Sequence, residues 1–270
     1  MLKYLRLIFS CGFRILHDYF KWMLRYARHP ERYPFKERYD AVRGVITFSL
    51  KKMRISMKVD GLEIFNSQTG SCVLVSNHLS MIDILSLIAL SEKPLSFISK
   101  KEVYRYPFVG KCLRALEGGF IDRKDLRQNV AVLAEAEKRL QANYCSYVIY
   151  PEGHRGEDPF GPLQTFHPGS FKIAYRSGVP VIAMAEFGTF RILDRKSNFK
   201  SFPFQFKFFP PYLKGDYEIM PTTEFAPLLQ KKIEDELDNM KKNDQEYFFA
   251  KKEKSYPPEP QWWKVYLRHE

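Results

Sequence analysis

Cys72-Val73-Leu74-Val75-Ser76-Asn77-His78-Leu79-Ser80-Met81-Ile82-Asp83-Ile84-Leu85 is the stretch from which the fold can be read. Cys72 to Val75 is a short apolar run of the kind that forms a buried strand. Ser76 and Asn77 are turn formers, and Ser80 opens an apolar pattern with helical spacing. The imidazole of His78 therefore falls where a strand stops and a helix begins, with Asp83 one turn further on. In α/β sheets such junctions are where ligands bind.

Outward from this stretch the chain keeps alternating strand and helix. Strands are expected at 72–76, 95–98, 119–121, 146–150, 179–187 and 203–209, and helices at about 80–91, 100–116, 125–142 and 169–177. In the 125–142 helix Leu126, Val130, Leu133 and Leu140 are expected to share one face. Gly178 is placed to cap the 169–177 helix. Regular alternation of this kind predicts an α/β fold, with a mixed, largely parallel sheet flanked by helices. Upstream, Ile55 to Val59 reads as a strand closed by a turn at Asp60-Gly61. Downstream of Pro210-Pro211 a charged helix is expected from about Thr223 to Lys242. The tail beyond Lys251 has no clear period and reads as a loose terminus or an added contact. The expected organisation is an N-terminal segment at 1–54, a central domain at 55–245 and a tail at 246–270.

The formal net charge is +12, and residues 1–60 hold 14 Lys/Arg against 5 Asp/Glu, so most of the excess lies at the start of the chain. There Leu2, Leu5, Phe9, Phe13, Leu16, Phe20 and Met23 recur near helical spacing between Lys3, Arg6, Arg14, Lys21 and Arg25. No run of about 18 uncharged apolar residues exists, which argues against a simple membrane span. A basic amphipathic helix lying on an anionic membrane surface fits the pattern, and so does an aromatic helix packed on the protein's own core. His29-Pro30 and Tyr33-Pro34 interrupt it, and a second helix from about Glu37 to Met53 would complete an N-terminal two-helix, membrane-binding segment. Cys11, Cys72, Cys112 and Cys145 are scattered, without metal-ligand spacing, and read as reduced, packed thiols.

Three stretches carry chemistry. A His and an Asp five apart cannot share a face of an ideal helix, so they meet only if His78 lies in the turn before it. Asp83 could then orient one ring nitrogen while the other takes a proton from a hydroxyl. The same Ser80-x-x-Asp83 spacing is also that of a capping box, and spacing alone leaves both readings open. Gly118-Gly119-Phe120-Ile121-Asp122-Arg123 ends a short strand at an arginine suited to a phosphate, or at an Asp-Arg pair capping the next helix. Tyr147-Val148-Ile149-Tyr150-Pro151-Glu152-Gly153-His154-Arg155-Gly156 ends another strand at Glu152 and Arg155, with glycines that permit close backbone approach. Gly178-Val179-Pro180-Val181-Ile182-Ala183-Met184 reads as plain core strand.

Taken together and in order, these stretches resemble the blocks of the 1-acylglycerol-3-phosphate acyltransferase family. Asn77-His78-Leu79-Ser80-Met81-Ile82-Asp83 is similar to the first block and Gly119-Phe120-Ile121-Asp122-Arg123 to the second. Pro151-Glu152-Gly153-His154-Arg155 is similar to the third and Val179-Pro180-Val181-Ile182 to the fourth. The resemblance implies transfer of a fatty acyl group from acyl-CoA or acyl carrier protein to a lysophospholipid hydroxyl. His78 would be the base and Asp83 its orienting carboxylate. Arg123 and Arg155 would grip the acceptor phosphate, Glu152 and Gly153 would shape the pocket, and Lys100 and Lys101 would assist. Neither a cofactor beyond the thioester co-substrate nor a metal is implied. The expected setting is the cytoplasmic face of a cell membrane, in a peripheral or monotopic manner.

Two departures bear on the acceptor. The family's third block usually has Thr after the glycine and Ser after the arginine, where this chain has His154 and Gly156. His167-Pro168-Gly169 lacks the lysine often found ahead of that glycine. A different lysolipid acceptor, such as a lyso-ornithine lipid or another lysophospholipid, is the alternative of the same class. A non-catalytic peripheral membrane protein on this scaffold is the alternative of another class. No zinc spacing, aromatic RNA-binding pattern or recognition helix speaks for a nucleic-acid partner, and no serine nucleophile elbow speaks for a hydrolase.

Overall fold

Among the described residues, the strands buried at every position lie at the centre of one seven-stranded sheet, as strands covered on both faces must. The computed structural model describes residues 2–122, 124–193 and 202–252. In chain order the strands are β1 (Ile55–Asp60), β2 (Val73–Ser76), β3 (Leu95–Lys100), β4 (Gly119–Ile121), β5 (Ser146–Ile149), β6 (Val181–Phe187) and β7 (Phe202–Phe208). Their spatial order is β1-β7-β6-β2-β5-β3-β4. Every pairing is parallel except β6 with β7, which is antiparallel, so the sheet is the mixed, largely parallel one expected. β2, β5 and β6 are buried at every residue.

The helices are α1 (Leu2–Asp18), α2 (Leu24–Arg28), α3 (Phe35–Lys52), α4 (Leu62–Ser67), α5 (Met81–Leu90), α6 (Val109–Ala115), α7 (Leu126–Gln141), α8 (Lys172–Ser177), α9 (Lys214–Tyr217) and α10 (Thr222–Lys252). A π-helical segment, Tyr19–Met23, joins α1 to α2. α7 starts at an Asp125 cap that accepts the Gln128 N–H at 3.0 Å. Its inward face is Ala136 and Leu140, whereas Val130, expected to share a face with Leu140, is 54% exposed. Gly178 ends α8 in the left-handed conformation, as its position predicts. The single helix expected at 100–116 is instead a 3₁₀ turn, Lys101–Arg105, and then α6. Pro107 holds Tyr106 in extended backbone between them. The charged helix expected to stop near Lys242 runs on as α10 to Lys252, across the boundary drawn at 245; residues 253–270 lie outside the described residues.

The two N-terminal helical stretches are used differently. α3 gives Tyr39, Val42, Val45, Ile46 and Leu50 to the same core as the sheet, all at most 1% exposed. α1 and the π segment leave Phe9, Phe13, Leu16 and Phe20 outside it. Among the described residues no helix is long and apolar enough to cross a membrane.

Candidate active site

β2 ends at Ser76 and α5 begins at Met81, so residues 77–80 form the turn at the carboxyl edge of the sheet. Asn77 leaves the strand as a side-chain continuation of it. Its amide donates to the Glu186 carbonyl and accepts the Glu186 N–H, each at 2.9 Å, which extends the β2–β6 pairing by one step. Ser80 then caps α5, accepting the Ile82 N–H at 3.2 Å, and Asp83 returns the other half of the capping box by accepting the Ser80 N–H at 2.8 Å.

The same Asp83 oxygen, Oδ2, accepts the Leu79 N–H at 2.8 Å and lies 2.7 Å from His78 Nδ1. One atom thus makes both the capping contact and the contact to the imidazole. His78 is held from three further directions by the segment that follows β5. Its N–H donates to Glu152 Oε1 at 2.6 Å, and its carbonyl accepts the Gly156 N–H at 2.9 Å. Its ring stacks on Tyr150, centroids 4.1 Å apart and planes 21° from parallel. With Nδ1 turned to a buried carboxylate, Nε2 is the nitrogen on which a proton can be taken up or released. The His78 side chain is 15% exposed and that of Asp83 fully buried.

Glu152, expected to shape the pocket, spends both oxygens on main-chain groups, the N–H of His78 and, at 3.3 Å, that of Gln164. Burial raises its pKa above the ordinary carboxylate value, against the pull of those two N–H groups. Gly153 takes φ +70° at the turn, a conformation few side chains allow. Beyond it His154, Arg155 and Gly156 line an open cleft with Leu79 and Lys100, which sits at the carboxyl end of β3. Leu79 follows His78 in the chain and Gly156 bonds to its carbonyl, so this cleft lies beside the His78 main chain. Lys101 turns away to an ion pair with Asp122. Arg123 lies outside the described residues. No group of three or more His, Cys, Asp or Glu suited to a metal occurs among the described residues.

The structure also supplies two members that the sequence reading gave no role. Tyr150 provides the face on which the imidazole rests. Glu186, near the end of β6, is fully buried behind Asp83, and its one sequence signal is a charge in the otherwise apolar run Val181–Phe187. His78, Asp83, Glu152, Arg155 and Lys100 are brought to one edge because β2, β3 and β5 run parallel and end together.

Comparison with known proteins points the same way. The model of the acyltransferase family matches residues 56–185. The chain is 34% identical over 139 residues to the chloroplastic 1-acyl-sn-glycerol-3-phosphate acyltransferase BAT2 of Brassica napus, covering 52% of this chain and 39% of that protein. It is 32% identical over 136 residues to the 1-acyl-sn-glycerol-3-phosphate acyltransferase of Helicobacter pylori, covering 50% of this chain and 56% of that one. The matched segment thus spans about two fifths of the chloroplast relative and rather more than half of the bacterial one. In fold, the crystal structure of the 1-acyl-sn-glycerophosphate acyltransferase PlsC from Thermotoga maritima is similar with a TM-score of 0.65 and 23% identity, over 89% of this chain and 95% of that one.

Proposed function

We propose that this chain, whose residues 56–185 match the model of the acyltransferase family, moves a fatty acyl group from a thioester to the free hydroxyl of a 1-acylglycerol 3-phosphate, giving phosphatidic acid. The observation that carries the reading is the fourfold restraint of His78: both main-chain groups, the ring face and Nδ1 are all held. Such restraint fixes the direction of Nε2, and the adjoining residues Leu79 and Gly156 line a cleft that also carries Lys100 and Arg155. Nε2 takes the acceptor's hydroxyl proton as the oxygen attacks the thioester carbonyl. The carbon–sulfur bond breaks, and the departing thiolate receives that proton back from the imidazolium. Asp83 supports the positive ring between the two transfers.

Arg155 and Lys100, which line the cleft together with His154, are suited to the acceptor's phosphate, and Arg123 is assigned the same task by the family's second block. His154 and Gly156 stand where relatives have Thr and Ser, so another lysolipid head is the second acceptor to be tried. Acyl-CoA and acyl carrier protein are both candidate donors. The membrane contact is assigned to Phe9, Phe13, Leu16 and Phe20, an apolar row with Lys21, Arg25 and Arg28 exposed beside it.

The test is release of free thiol from acyl-CoA, and from acyl carrier protein, in the presence of lysophosphatidic acid. His78→Ala removes the ring and leaves the main-chain clamps, so kcat is expected to fall by roughly 10²–10⁴-fold with an unchanged melting temperature. Undiminished turnover in that variant would refute the assignment of the base.

A further inference from the structure

Asp83 Oδ1 and Glu186 Oε2 are both buried and, among the described residues, both lack a hydrogen-bond donor, although the two carboxyl groups lie within hydrogen-bonding reach of each other. Two ionised carboxylates offer only acceptors, so neither can satisfy the other. A single proton between them satisfies both at once. Asp83 already uses Oδ2 as an acceptor for the Leu79 and Ser80 N–H groups and turns the same oxygen to His78 Nδ1. Among the described residues the Glu186 carboxyl receives the Ser76 hydroxyl alone, on Oε1 at 3.4 Å, and its main chain is clamped by Asn77. We propose that Glu186 is a neutral carboxylic acid whose Oε2–H donates to Asp83 Oδ1, making it a positioning residue that completes a His78–Asp83–Glu186 chain.

The surroundings agree. The titratable groups that face Glu186 are Asp83 from α5 and Glu152 and Tyr150 from the segment after β5, with His78 beyond Asp83. Burial first, and then the charge of Asp83, raises the Glu186 pKa well above the ordinary range. Tyr150 Oη makes no hydrogen bond to either acid, and burial likewise raises its phenol far above the usual value. A neutral donor disperses the charge of Asp83 without adding a second anion beneath the imidazole. It also stops the Asp83 carboxylate from rotating away from Nδ1.

The proposal rests on the acyltransferase reading for its kinetic arm alone. Glu186→Gln keeps a neutral donor toward Asp83 and an acceptor toward Ser76, and is expected within about threefold of wild-type kcat with the acid limb of kcat/KM in place. Glu186→Leu removes the donor, leaving Asp83 a stronger partner for the protonated ring. Its kcat is expected to fall roughly tenfold to a hundredfold, with KM little changed and the acid limb moved to higher pH. An ionised Glu186 predicts the opposite sign, because both variants would then remove a negative charge and move the acid limb to lower pH.

The second arm needs no activity. Between the ordinary glutamate value of about 4.3 and its raised native value, Glu186 binds a proton in the folded but not the unfolded chain, so wild-type stability falls as pH rises through that window. Glu186→Gln has no such loss, and its melting temperature relative to wild type should therefore increase with pH. A difference that is flat or falls with pH, or a glutamine variant as damaged as the leucine one, overturns the proposal. Wild-type protein that releases no thiol yet shows the rising difference would overturn the acyl-transfer reading and leave Glu186 neutral.

Discussion

One oxygen of Asp83 serves the helix and the histidine together, and this overlap has a consequence at the scale of the residue. Asp83→Asn keeps a side-chain carbonyl that accepts from Leu79 and Ser80, so the start of α5 should stay capped. What it loses is the charge beneath the ring. We expect kcat to fall by about 10²-fold or more while the melting temperature moves little, whereas Asp83→Ala should also lose the cap, worth about 1 kcal/mol. Full turnover by the asparagine variant would reduce Asp83 to a capping residue. The His-Asp geometry was legible in the sequence because strand end, turn and cap lie within one short stretch whose local rules suffice. Tyr150 and Glu186 were not legible as site residues. They reach His78 and Asp83 only through strand pairing, β5 against one side of β2 and β6 against the other, and no local pattern encodes those neighbours. The main-chain duty of Glu152 was hidden for the same reason.

At the scale of the element, alternation of apolar runs and helical spacing foretold the parallel part of the sheet, since each strand there is followed by a crossover. It did not foretell the reversal between β6 and β7. That reversal begins at Gly188, with φ +99°, where a Cβ would lie 2.4 Å from the Pro203 carbonyl oxygen. Pro203 itself sits in β7 beyond the last residue paired with β6, so its missing N–H costs that ladder nothing. α10 is fastened to the same corner by a buried ion pair between Arg191 and Asp244, the guanidinium also lying 4.7 Å from the Phe190 ring centroid. Gly188→Ala combines a disfavoured backbone conformation with a main-chain clash, and should cost about 2 kcal/mol or more. Urea unfolding measures it: the midpoint should drop with little change in slope, and an unaltered midpoint would mean that the corner is not held by this contact.

At the scale of the molecule, the charge excess near the N-terminus was plain from composition, but which helix faces outward was not, because α1 and α3 have similar mixtures of apolar and basic residues. Burial separates them. α3 turns its apolar side inward, so its bases hold no apolar row at the surface, while Phe9, Phe13, Leu16 and Phe20 fall within an arc of about 60° at 100° per residue. α1 packs on α3, and α3 on α5, the helix whose first turn carries Asp83. If this row enters the headgroup region of a bilayer, the helices between it and the site set the height at which a lipid head is met. Replacing Phe9, Phe13 and Phe20 together by Ser removes three aromatic anchors, each worth about 1.5–3 kcal/mol when fully buried, so binding to anionic vesicles should weaken by at least a hundredfold. Salt should weaken wild-type binding through the exposed Lys21, Arg25 and Arg28. Turnover of a short-chain, water-dispersed acceptor should be unchanged in the same variant, because none of the three aromatics touches the cleft. Vesicle sedimentation and the soluble assay together decide it: retained binding would move the membrane contact elsewhere, and lost soluble turnover would tie α1 to the site instead of to the lipid.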